Sequence, residues 1–176
     1  MPPRAQPKPF RAAVDTNVLM DLALPKETAH DALALMRTRI TQGCEFVVTP
    51  RVFEELDFIA EYGDEIRDRE LAGAALDSMV AGWGFMPLDF SDAGHDITEI
   101  AAERLIEAGL LPAKEYNDAV IVAEAALANS GLLLTSDRHM LVIAAPRLHL
   151  ILDSVGLGRP LIVSPARIVR DFSPRR

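Results

Sequence analysis

The chain has 176 residues, enough for one domain with a sizeable core. Its hydrophobic fraction of 49% and charged fraction of 25% are those of an ordinary globular protein. A formal net charge of -8 counts against a broad basic footprint for nucleic acid, and the lone Cys44 excludes an internal disulfide framework.

Residues 1–9 are rich in proline and polar, and read as a flexible tail. Phe10 to Val14 reads as a strand covered on both faces, with small or β-branched Ala12, Ala13 and Val14. It stops at Asp15, and a helix resumes through Val18, Leu19 and Leu22. Ala29, Leu33, Met36 and Ile40 predict a helix over 27–42, closed by Gly43. A second strand follows at 45–49. Thr49 then caps a helix that starts with Pro50 and runs to about residue 62. Another helix spans 64–81, up to the Gly82-Trp83-Gly84 break. The short third strand, 85–88, contains Pro87 and so belongs at a sheet edge. Ser91 caps a helix over 92–108, and a further helix covers 115–129. The uniformly apolar fourth strand, 132–135, is central; a fifth lies at 160–163, and 166–171 forms a last helical turn. Residues 140–159 are apolar without a clear period and remain unassigned. Strands alternating with helices predict a parallel α/β sheet.

Such a sheet gathers acids on one rim. Asp15 ends the first strand and Asp137 follows the fourth, so both lie at the carboxyl edge, where open α/β sheets bind ligands. The helix after strand two brings Glu54 and Glu55, and the helix before strand four brings Asn117 and Asp118. On a helical wheel Val52, Leu56, Ile59 and Ala60 face inward. Glu54 then points to solvent and Glu55 lies on the margin, so Glu55 is the candidate. Each acid alone has a local reading: Asp15 as a helix cap, Asp118 as a partner of a helix dipole, Asp137 as a turn residue. Four acids from four segments point further. A like-charged pair at 4 Å costs about 4 kcal/mol at an effective dielectric of 20. The cluster therefore takes up protons or a cation, and an all-oxygen set favours Mg²⁺ or Mn²⁺.

Four segments carry a resemblance. Val14-Asp15-Thr16-Asn17-Val18-Leu19 resembles the opening motif of PIN-domain nucleases, and residues 49–56 resemble their second motif. Residues 117–125 resemble the third and 134–141 the fourth, in the family's order. The resemblance implies a three-layer sandwich over residues 10–172 around a five-stranded parallel sheet of order 3-2-1-4-5. It also implies a Mg²⁺- or Mn²⁺-dependent ribonuclease. Asp15, Glu55, Asp118 and Asp137 would be its metal-binding, catalytic acids, and Asn17 and Thr135 their polar support. Many small members are VapC-type toxins, which implies an RNA substrate, an antitoxin protein as partner and a homodimer as an assembly to test. The chain is longer than the compact toxins, so a housekeeping RNA-processing nuclease and a catalytically idle binding module stand as alternatives.

Other signals are weaker. The chain has no G-x-G-x-x-G and no P-loop lysine motif, and its four histidines lack zinc spacing. His139 is the only histidine near the acids, and Trp83 reads as a core or interface anchor. Basic residues collect at the ends: Arg4, Lys8 and Arg11, then Arg167, Arg170, Arg175 and Arg176. They are expected to contribute phosphate contacts. No signal region or membrane-length apolar run is present, so the chain reads as soluble and cytoplasmic.

Overall fold

Five strands pair in parallel: β1 (Phe10–Val14), β2 (Cys44–Val48), β3 (Met86–Pro87), β4 (Leu132–Leu134) and β5 (Leu161–Val163). Their order in the sheet is 3-2-1-4-5, as the resemblance implied. The structure is a computed structural model and describes residues 8–173, so nearly all of the expected tail lies outside the described residues. β1 is central because its last three residues are buried and slender. Ala12 pairs with Phe46 on one side and Leu132 on the other. Gly131, just before β4, lets the two strands meet, since a Cβ there would lie 2.4 Å from the Phe10 ring. Pro87 stands in the edge strand, where its missing N–H costs no ladder bond.

Nine helices cover the faces of this sheet among the described residues: α1 (Thr16–Ala23), α2 (Glu27–Arg39), α3 (Pro50–Tyr62), α4 (Ile66–Met79), α5 (Asp92–Glu107), α6 (Tyr116–Leu127), α7 (Arg138–Leu141), α8 (Ala145–Ser154) and α9 (Pro165–Phe172). α2 packs on α9, α5 on α6, and α3 on α4. α6 is buried on every side from Ala119 to Ala126, which its alanines and valines permit. It sits between its partner helices and the sheet, a placement that a one-sided amphipathic pattern would not allow.

The structure shifts several boundaries. α2 ends at Arg39, three residues before expected, because Ile40 turns extended and the Gly43 N–H bonds back to the Ile40 carbonyl. Gly43 takes a φ of +85°, a conformation glycine adopts freely. The unassigned stretch takes in the end of α7 and all of α8, where apolar residues on several sides of the helix blur the period. Pro146 opens α8 rather than breaking it, and Leu148 and Leu152 form its buried face. Thr49 precedes α3 with cap backbone angles, yet its side chain makes no capping bond.

Three sequence signals resolve into structure. Trp83 is half-buried on the core, 5.9 Å from Phe85 between ring centroids. Cys44 is free, and burial pushes its thiol up to about 11, which leaves it a poor nucleophile at neutral pH. Arg11 bonds the Glu45 carboxylate at 2.7 Å and the Ala128 carbonyl at 2.9 Å, so it joins strands and is committed. Arg167 and Arg170 both pair with Asp171. These three therefore give phosphate less free charge than the sequence suggested. Among the described residues no helix is long and apolar enough to cross a membrane.

Candidate active site

Asp15 occupies the end of β1 and the N-cap of α1. Its own N–H continues the sheet ladder to the Leu134 carbonyl at 2.9 Å. Its carboxylate collects three donors. Oδ1 accepts from the Thr16 N–H at 2.7 Å, and Oδ2 accepts from Asn17 Nδ2 at 2.8 Å and Thr135 Oγ1 at 2.7 Å. The side chain is almost fully buried, and burial pushes its pKa up to about 6. The Thr135 and Thr16 hydrogen bonds work against that rise, and the Glu55 and Asp137 charges add to it. Asp15 does cap α1, and the cap leaves room for a site role. Capping fixes the carboxylate at the strand edge.

The loop after β4 is locked to the same group. Thr135 Oγ1 accepts from the Asp137 N–H at 2.9 Å while donating to Asp15, and Asn17 Oδ1 accepts from the Ser136 N–H at 2.9 Å. Asp137 caps α7, with Oδ1 accepting from His139 N–H at 2.6 Å and, at 3.4 Å, from Met140 N–H. Glu55 arrives from α3 and accepts a short hydrogen bond from Thr16 Oγ1. Val52 and Leu56 are fully buried, Glu55 is half-buried and Glu54 is exposed, so the helix has the phase the wheel predicted.

Asp118 lies in the first turn of α6, half-buried. Its Oδ2 atom is buried and has no hydrogen-bond partner. Burial pushes its pKa up to about 7, and Asp15, Asp137, Glu115 and Glu55 push in the same direction. The charges acting on this group are carboxylates from the β1 edge, α3, the β4 loop and its own segment. The sequence reading missed Glu115. That residue ends a 3-10 turn (Ala113–Glu115) and places its carboxylate 4.0 Å from His139 Nε2. It sits outside the period of α6, so a helical wheel could not assign it.

Glu124 was also missed. It is buried on α6, and its Oε2 accepts from the backbone N–H of Arg51 at 2.9 Å. A carboxylate from one helix thereby caps the opening turn of another, α3, and burial holds that carboxylate above the usual glutamate range. One charge inside Ala119–Ala126 was the available signal, since a glutamate buried in such a run needs a donor.

The donor set suits a hard cation. All four predicted acids offer oxygen, and the partnerless Asp118 oxygen is a lone pair without a proton donor. Among the described residues no three His, Cys, Asp or Glu side chains lie so placed that they could together hold a metal ion. Mg²⁺ does not require three, because it keeps several waters and takes one or two carboxylates.

The topology is that of an α/β protein with a parallel sheet and an acidic carboxyl edge. The PIN domain family model matches residues 12–146, and the chain belongs to that family. PIN domains are generally nucleases that use divalent metal ions. No curated protein matches the chain. Among solved structures it is similar to a chain of VapBC2 from Rickettsia felis, crystallised bound to a DNA fragment from their promoter. The two share 15% identity and a TM-score of 0.58, over 88% of this chain and 98% of that one. At that identity the likeness is one of fold.

Proposed function

We propose that residues 10–172 form a Mg²⁺- or Mn²⁺-dependent endoribonuclease domain, and that the protein is the toxin of a toxin–antitoxin pair. One observation carries the catalytic reading: a buried Asp118 oxygen without a donor, in the field of Asp15, Glu55 and Asp137. An idle binding module gains nothing from holding these acids against their own repulsion. Asp15, Glu55, Asp118 and Asp137 would hold the ion, one or two of them directly and the others through its waters. When bound it would supply a water activated for attack and neutralise charge developing on the phosphodiester.

The remaining work falls to the chain's own groups. Thr135 and Asn17 hold Asp15 in one orientation, and Thr16 does the same for Glu55. Locked ligands keep the site preorganised, which is how neighbouring hydrogen bonds tune a metal site. RNA is the favoured substrate through the resemblance of all four motifs to the family's ribonucleases. The toxin role draws on that resemblance and on the fold shared with VapBC2. A protein antitoxin in the cytoplasm would then be the partner.

The test is incubation of purified protein with a mixed RNA pool, in Mn²⁺ and in chelator, followed by sequencing of the ends. New ends confined to the Mn²⁺ sample are expected, and identical ends in both samples would refute the reading. Growth arrest on expression, relieved by a small neighbouring open reading frame, is the result expected of a toxin. Unimpaired growth would favour the housekeeping nuclease.

A further inference from the structure

Beside Glu55 opens a cleft of about 570 Å³ lined by Arg51, Glu54, Glu55, Phe58, Ile59 and Asn117. Its size falls within the roughly 300–1,000 Å³ typical of small-ligand sites. Two of its side chains are only loosely engaged by the fold. The Arg51 guanidinium donates no hydrogen bond among the described residues. It forms a loose ion pair with Glu54, one turn along α3 at 3.8 Å, and its Nε is buried without a hydrogen-bond partner. A guanidinium offers five donors in a planar fork that matches phosphate oxygens. Its backbone is nevertheless firmly placed, because Glu124 binds the Arg51 N–H.

Phe58 is the second. It is 62% exposed, and Tyr62, one turn further along α3, is 65% exposed. Their ring centroids lie 5.3 Å apart. Large rings left in water contribute nothing to the core, whereas unstacked bases bind such faces readily. The cleft also carries the Glu54 and Glu55 carboxylates, which repel any anion, phosphate included. A phosphate entering this neighbourhood needs a cation, and Arg51 is the one that lines the cleft.

We propose that this cleft is the subsite for the nucleotide flanking the scissile phosphate of a single-stranded RNA, with Arg51 taking a phosphate oxygen and Phe58 stacking the base. The proposal rests on the nuclease reading of the adjoining acids. It selects single strands because a paired base offers no free face.

The test is steady-state cleavage in Mn²⁺ of a short single-stranded RNA taken from the pool experiment. Wild type is compared with Phe58→Ala, Phe58→Trp and Arg51→Ala, and each variant is first checked for a wild-type melt. Phe58→Ala should raise KM about tenfold with a smaller effect on kcat, and Phe58→Trp should restore it. Arg51→Ala should lower the slope of log(kcat/KM) against log salt by about 1. Wild-type KM and salt slope in these variants would overturn the subsite and leave the nuclease reading standing. A wild-type protein that cuts no RNA would overturn both. If Phe58→Ala dissociates a dimer in sedimentation without raising KM, the aromatic face belongs to a second copy of the chain and the subsite is overturned.

Discussion

Asp15 and Asp118 hold protons more tightly in the folded chain than an ordinary aspartate near 3.8 would, with pKa values of about 6 and about 7. The folded state therefore binds more protons than the unfolded one over this range. The stability they contribute is complete below about pH 4 and is lost as pH rises through 6 and then 7. A shift of about two pH units at Asp15 corresponds to roughly 3 kcal/mol. In chelator, the melting temperature should fall between about pH 4 and pH 7, and Asp118→Asn should flatten the fall. A wild-type melt that rises across that range would contradict this. At the same scale, Glu55→Gln should abolish metal-dependent cleavage and Glu54→Gln should keep most of it, measured as initial rates at saturating Mn²⁺. The two glutamates were separable in sequence because Val52 and Leu56 fix the phase of α3. Glu115 was not, because a 3-10 turn carries no helical phase into α6.

Elements couple through Glu124. It ties α6, which carries Asp118, to the first turn of α3, which carries Glu55. Glu124→Ala leaves the Arg51 N–H buried without an acceptor and should cost about 1–3 kcal/mol in urea unfolding. Glu124→Gln keeps an acceptor and sheds a buried charge, so its loss should be smaller. Equal losses in the two variants would show that packing, not the hydrogen bond, sets the cost. Buried strands and capped helices were legible because their signals are local: Ser91 bonds the Gly94 N–H, and Ala12, Ala13 and Val14 form the central strand. α7 and α8 were not: α7 is a single turn set by packing, and α8 mixes buried Leu148 and Leu152 with exposed Leu150. The contact between α3 and α6 was equally hidden, because it joins positions 73 residues apart.

At the scale of the whole molecule, one parallel sheet explains why acids distant in sequence come to the same edge. Parallel strands end together, so Asp15 and the Thr135–Asp137 loop share an edge, and the helices that run back from it start there with Glu55 and Asp118 near their first turns. That convergence was readable from strand and helix order alone. The hydrogen bonds that orient each acid were not, because Thr16, Asn17 and Thr135 are ordinary turn residues until the chain closes. The decisive measurement is a pair of thermal melts, wild type and Asp118→Asn, in chelator and in excess Mn²⁺. A shared metal pocket predicts that the mutant in chelator is as stable as wild type or more so, since it sheds a repelled charge. It also predicts a smaller gain from Mn²⁺, since binding to the folded state is what raises the melt. A mutant that melts lower in chelator, yet gains as much from Mn²⁺ as wild type, would show that Asp118 serves only the helix start and would contradict the metal-dependent nuclease.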